Sequence, residues 1–117
     1  MSEETIDLAE FMERVQDDKE LLLELLDIFM EDFQEKRRQL GDAIEKNDVE
    51  QVKSIAHSLK GASGNISAKP LRQSCLKLEE IGKEGKLDGG QELLVTIDQQ
   101  YQDLVKRIET LKEELNS

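Results

Sequence analysis

Val52-Lys53-Ser54-Ile55-Ala56-His57-Ser58-Leu59-Lys60-Gly61-Ala62-Ser63-Gly64-Asn65-Ile66 decides the fold, and it holds the only histidine of the chain. Wound as a helix at ~100° per residue, Val52, Ala56, Leu59, Ser63 and Ile66 fall on one stripe. Their spacing of four and three is that of a buried seam. Lys53, His57, Lys60, Gly61 and Gly64 form a second stripe, centred roughly 140° away by the same arithmetic. The imidazole therefore points to solvent, with a lysine one turn to either side. Two glycines remove side-chain bulk beside it, although each costs about 1 kcal/mol of helix propensity relative to alanine. A helix that only had to fold would carry alanine or glutamate there. The pattern implies that something comes close to His57.

Leucine-rich periodic segments continue on both sides of this stretch, and the chain holds a single proline, so it reads as all helical. A short first helix, about Asp7 to Val15, opens with Asp7 and Glu10 at capping-box spacing and buries Leu8, Phe11 and Val15. Asp17 and Glu20 repeat that start signal. The helix they open carries Leu22, Leu26, Phe29, Phe33, Leu40 and Ile44 on one stripe, with a gap near Arg37. Gly41 is a weak point in it and not an end, since the apolar spacing runs through. Asn47-Asp48 marks the next break, with Asp48 as cap of the histidine helix. That helix stops at Ile66 to Ser67, and Pro70 sits in the first turn of its successor, where a missing N–H costs nothing. Leu71, Cys75, Leu78 and Ile81 form the fourth buried stripe, ended by the glycine-bearing stretch 82–90. Leu94, Ile97, Tyr101, Leu104, Ile108, Leu111 and Leu115 line the last helix. Short connections make neighbours antiparallel, so the expected fold is an antiparallel four-helix bundle with a short additional N-terminal helix. It forms one domain over residues 1–117, with its core at roughly 7–115.

Composition sets the outer bounds. A chain of 117 residues buries about 65% of its unfolded surface, enough for one core without staples. With three Phe, one Tyr and no Trp, aliphatic side chains carry the packing. The single cysteine, Cys75, excludes an internal disulfide and fits a reducing compartment. Its place on an apolar stripe makes it a core residue. No apolar run reaches the ~18 residues of a membrane span. The opening Met1-Ser2-Glu3-Glu4 is the opposite of a secretory signal, so the expected location is cytoplasmic. A net charge of −11 argues against nucleic acid, whose phosphates demand a basic surface. Most of the carboxylates read as a solvated helical exterior. Against that background Lys53, Lys60, Lys69 and Arg72 form a local basic island around the histidine.

Antiparallel register places His57 among neighbours from other helices. The turn centred near Ala68 brings Glu79 opposite His57. The turn near Asn47 brings the segment from Gln34 to Arg38 alongside. Glu79 is then either an ordinary surface carboxylate or the acceptor of a hydrogen bond from one ring nitrogen, which leaves the other free to attack. Lys60 and Lys53 set positive charge on either side of the ring, and Gly61 and Gly64 leave room for a partner's loops. A single histidine in a bundle is ordinarily a bystander, but its exposure, its two lysines and the Gly-x-x-Gly that follows argue otherwise. Metal binding is disfavoured further, because no second histidine exists and carboxylates four residues either side are missing. There is also no glycine-rich nucleotide loop and no P-loop lysine motif.

The run His57-x-x-Lys60-Gly61, with Ala56 before it and a small-residue helix end after it, resembles the signature of histidine-containing phosphotransfer (HPt) domains. The similarity extends to Phe29 and Phe33, to Asn47-Asp48 and to Cys75-x-x-Leu78-Glu79, and covers roughly Leu8 to Leu111. One departure is Ser67, where many members have glycine. The resemblance implies a phosphoryl carrier that takes the group on His57 from a receiver aspartate or a kinase and hands it to another receiver domain. It also implies a polar contact to the histidine at Glu79. Lys60 would serve the chemistry, and Lys53, Gly61, Gly64, Gln34 and Arg38 the docking. No cofactor belongs to this chain, Mg²⁺ being expected in the partner receiver only. The expected partners are response-regulator receiver domains or a hybrid histidine kinase, with the chain itself monomeric. A docking adaptor that is never phosphorylated is the alternative from another class. A coiled-coil homodimer, resting on the last helix, is the third.

Overall fold

Five helices account for most of the chain in the computed structural model, which describes residues 4–116, and no strand occurs among them. They are α1 (Leu8–Arg14), α2 (Lys19–Glu45), α3 (Val49–Asn65), α4 (Lys69–Glu84) and α5 (Gly90–Asn116). Met1-Ser2-Glu3 of the polar opening lie outside the described residues.

The helix starts follow from short acidic caps that satisfy otherwise orphaned N–H groups. Asp7 accepts from the Glu10 N–H, and Asp48 from the Gln51 N–H. The second start lies one residue later than its sequence signal. Asp18, not Asp17, accepts from the Leu21 N–H, and Asp17 takes a left-handed φ of 63° in the turn before it. The capping box of α1 is only half formed, because the Glu10 carboxylate turns instead to Ser67 and Lys69. Helix α4 starts on Ala68, which offers no side-chain cap, with proline in its first turn.

Helices α2, α3, α4 and α5 pack in a ring in which each touches the next and α5 closes on α2. Side-chain contacts fix the directions as antiparallel. Between α2 and α5, Lys112 meets Asp27, Gln34 meets Tyr101, and Arg37 meets Asp98. The seams expected of α3 and α5 face inward: Val52, Ala56, Leu59, Ser63 and Ile66 are buried, as are Leu94, Ile97, Leu104, Ile108 and Leu111. The apolar seam of α5 is therefore occupied within the chain. Phe33 stacks on Tyr101 with ring centroids 4.1 Å apart, and Cys75 is buried in the core, where desolvation pushes its thiol up to about 12.

The gap in the α2 stripe is filled by charge. Arg37 donates to both oxygens of Asp98 at 2.5 and 2.9 Å, a two-pronged pair across the bundle. In α4 Leu71, Cys75 and Leu78 are buried as expected, and only the end of the stripe shifts by one residue: Ile81 is half-buried, and Gly82 takes the inward place. A Cβ on Gly82 would stand 3.0 Å from the Lys53 backbone. The glycine lets α3 and α4 approach closely, one turn from Glu79.

Candidate functional site

His57 stands on the outer face of α3 with 67% of its side chain exposed, and it leans on a carboxylate that is almost wholly covered. Its Nδ1 donates to Glu79 Oε2 at 2.7 Å. Glu79 itself is only 3% exposed, so it is no ordinary surface carboxylate. Its other oxygen, Oε1, lies 2.7 Å from the Lys60 ammonium, and Lys83 approaches Oε2 at 3.9 Å. The Lys60 contact is the largest cause holding the Glu79 carboxyl below its ordinary range. Burial opposes it, and the His57 bond adds to it. An ionised carboxylate accepts only, so Nδ1 carries the proton, and in the neutral form of the ring the lone pair lies on Nε2.

The sequence pattern accounts for this arrangement. Glu79 lies eleven residues beyond the α3–α4 turn and His57 eleven before it, as antiparallel register requires. Lys60 is one turn from His57 on the same face, which brings its stem over α4. It is engaged with Glu79 and only 21% exposed. Lys53 pairs loosely with exposed Glu50. Lys83, absent from the sequence reading, joins the cluster because it lies four residues after Glu79 on α4, a spacing readable only once Glu79 is known to face inward.

The expected contribution of α2 is displaced. Gln34 donates to the Tyr101 hydroxyl on α5, and Arg38 pairs with Glu35 and Asp42 along its own helix. Neither reaches the His57 face. Lys36, between them, does: it pairs with Asp32 and donates to Ser58 Oγ at 2.6 Å, next to the histidine. The 34–38 segment thus lies alongside α3 as antiparallel register requires, and Lys36 is its member that bonds there, since two residues either side of it turn about 200° around a helix. Nearby, Ile28 is 55% exposed and borders a hollow of about 260 Å³ shared with Leu25, Phe29 and Ala62.

The two glycines differ. A Cβ on Gly61 would meet nothing within 4 Å, so space is open there. A Cβ on Gly64 would lie 3.2 Å from Arg72 Cδ, so the Arg72 stem already fills the space expected to be free for a partner. The departure at Ser67 is also explained. Ser67 takes a left-handed φ of 60°, the conformation glycine adopts most easily. Its hydroxyl donates to Glu10 and its carbonyl accepts from the Asp7 N–H, which ties α1 to the turn. Among the described residues no group of three or more His, Cys, Asp and Glu is placed to hold a metal ion. No helix there is long and apolar enough to cross a membrane.

Comparison with known proteins agrees with this geometry. The chain is 24% identical over 90 residues to histidine-containing phosphotransfer protein 1 of Oryza sativa subsp. japonica, across 75% of this chain and 61% of that protein's length. It is also similar to the crystal structure of histidine-containing phosphotransfer protein B from Pseudomonas aeruginosa PAO1. That likeness has a TM-score of 0.76 and 31% identity, covering 97% of this chain and 96% of the other. The Hpt domain family model matches residues 24–115. That span takes in α3, α4 and most of α2 and α5 and leaves α1 outside, so the match falls on the bundle that carries His57 and Glu79: this chain belongs to the Hpt domain family.

Proposed function

We propose that this chain is a phosphoryl carrier of a two-component phosphorelay, with His57 as the group that is phosphorylated. The observation that supports it most is an exposed imidazole whose inner nitrogen is held by a buried carboxylate within a ring of lysines. Neutral imidazole is nucleophilic near pH 7 without an activating base. Its Nε2 lone pair attacks the phosphorus of a receiver's aspartyl phosphate, the N–P bond forms, and the P–O bond breaks with its electrons on the aspartate. The ring keeps its Nδ1 proton and becomes cationic, so the carboxylate of Glu79 stabilises the product. Onward transfer reverses the step: the N–P electrons return to Nε2 and a neutral ring is left, with no proton to move. Lys60 keeps Glu79 ionised, while Lys53 and Lys83 add positive charge around the incoming phosphoryl group.

The partners are receiver domains or a receiver-bearing kinase, whose own aspartate and Mg²⁺ supply the catalysis; the carrier acts in the cytoplasm, as a monomer. Docking uses α2 and α3, with the hollow beside Ile28 and Ala62 as an apolar margin to the charged centre. Incubation with phosphorylated receivers should leave on this chain a label that is lost in acid and kept in alkali, as a phosphoramidate is. A label stable in acid would overturn the reading.

Gly61 offers a separate check, because space is open there and helix propensity favours alanine. Gly61→Ala should raise stability by about 1 kcal/mol, read from chemical denaturation, while slowing transfer from a receiver. Gly61→Gln should slow it further. Transfer at the parental rate in both variants would show that no partner comes close to this position.

A further inference from the structure

Beyond Lys60 and Gly61 the surface sinks into an open cleft of about 600 Å³ between α1, α3 and α4. Its walls carry four cations, Arg14, Lys60, Lys69 and Arg72, against one carboxylate, Glu10. In a chain of net charge −11 this is a marked reversal of sign. Three of the cations are tied by the fold, Lys60 through its 2.7 Å contact to Glu79. Arg14 donates from one guanidinium nitrogen to the Gly64 carbonyl at 2.7 Å and pairs through another with Glu10. Lys69 bridges Asp7 and Glu10. Arg72 is different: its stem lies across Gly64, it is exposed, and it makes no ion pair among the described residues. Packing does not need that guanidinium.

We propose that this cleft receives an acidic segment of the receiver domain docked on His57, with Arg72 and Arg14 as the residues that select the partner. The proposal rests on the phosphocarrier reading above and extends its docking surface from α2 and α3 to α1 and α4. The cleft opens one helical turn from His57, so a domain that brings its phosphorus to Nε2 and lies along Gly61 overhangs it. A guanidinium forks onto carboxylates in two-pronged fashion, and a cleft this wide, with cations on three helices, fits several side chains better than one small anion. Nucleic acid is disfavoured, because the rest of the surface repels it. Charge placed in this way raises encounter rates by about 10- to 10³-fold at low salt.

The test uses the full chain and, from a panel of phosphorylated receivers, the one that labels it fastest. Transfer is followed against receiver concentration for the parent, Arg72→Glu, Arg72→Lys and Arg14→Glu/Arg72→Glu. Arg72→Glu should raise the receiver concentration needed for half-maximal rate about tenfold at low salt, with the penalty shrinking as screening shortens to ~3 Å at 1 M salt. Arg72→Lys should be nearly parental and the double variant worse than the single one. Circular dichroism checks both variants, since Arg14 also anchors α1 and the Arg72 stem packs over Gly64; the single variant breaks no ion pair among the described residues. A parental concentration dependence in Arg72→Glu at low salt would overturn the proposal. So would competition by millimolar inorganic phosphate that disappears in Arg72→Glu, which would make the cleft a site for a free anion. Labelling of the parent by the small donor phosphoramidate keeps the two readings apart: if neither donor nor any receiver labels it, the phosphocarrier reading fails first.

Discussion

His57→Gln should take up no label from a phosphorylated receiver while unfolding at the temperature of the parent chain. The imidazole is two-thirds exposed and among the described residues its side chain bonds to Glu79, so it contributes little to the core. Surface replacements of that kind change stability by about 0.5 kcal/mol or less. Glutamine also keeps a donor, and its amide can still reach the Glu79 carboxylate, so that buried group is not abandoned. What it lacks is a nucleophilic nitrogen, because the amide lone pair is delocalised into the carbonyl. Labelling of the variant at the parental level would place the phosphoacceptor elsewhere and sink the assignment.

Glu79→Ala should damage both transfer and stability. Without the carboxylate the ring loses its fixed tautomer and the charge that stabilises its phosphorylated form. An orienting carboxylate on a reactive histidine is worth up to about 10⁴ in rate, and a loss of at least about tenfold is expected here. Removing it also leaves the largely covered ammonium of Lys60 without its partner. Breaking a fully buried pair costs about 3–5 kcal/mol, and the partial exposure of Lys60 makes the lower part of that range the upper bound. Glu79→Gln separates charge from shape: it should fold better than the alanine variant and still transfer slowly.

The same pair sets an acid-side signature. The folded-state carboxyl of Glu79 lies below its ordinary value of 4.5, first through Lys60 and then through His57. Its stabilising contribution is therefore complete above about that pH and is lost as pH falls through the depressed folded value. Subtracting the stability of Glu79→Gln from that of the parent should give a difference that is flat at neutral pH and shrinks in acid. A difference independent of pH would show that the charge of Glu79 does not matter to folding.

Much of the site was legible because helix periodicity is a one-dimensional signal. The α3 stripe from Val52 to Ile66, the outward place of His57 and the α5 seam all follow from 3.6 residues per turn and the choice of apolar positions. The pairing of His57 with Glu79 needed only a turn centre and antiparallel register. The details that were not legible are those that azimuth or local competition decides. Two aspartates stand side by side at 17 and 18, both able to cap, and the left-handed turn through Gln16 and Asp17 selects the second. Within the 34–38 segment it is Lys36 that bonds to α3, while Gln34 and Arg38 pair with Tyr101 and with their own helix, a choice set by direction around α2. Gly64 reads as vacant space until the stem of Arg72 is seen to cross it.

From its residues alone this protein is a helical bundle with an exposed histidine among lysines, because burial periodicity, caps and turn residues act over neighbouring positions and need no knowledge of the rest. The tertiary structure decided whether Glu79 is wet or dry, which cations are already engaged, and that α1 closes a basic cleft beside the histidine. Those outcomes depend on approach distances between helices, such as the one Gly82 permits against Lys53. A carboxylate in water is nearly indifferent to a lysine at 4 Å, whereas the same pair shielded from solvent interacts several times more strongly. Burial turns Glu79 from one of 27 acidic residues into the group that orients His57.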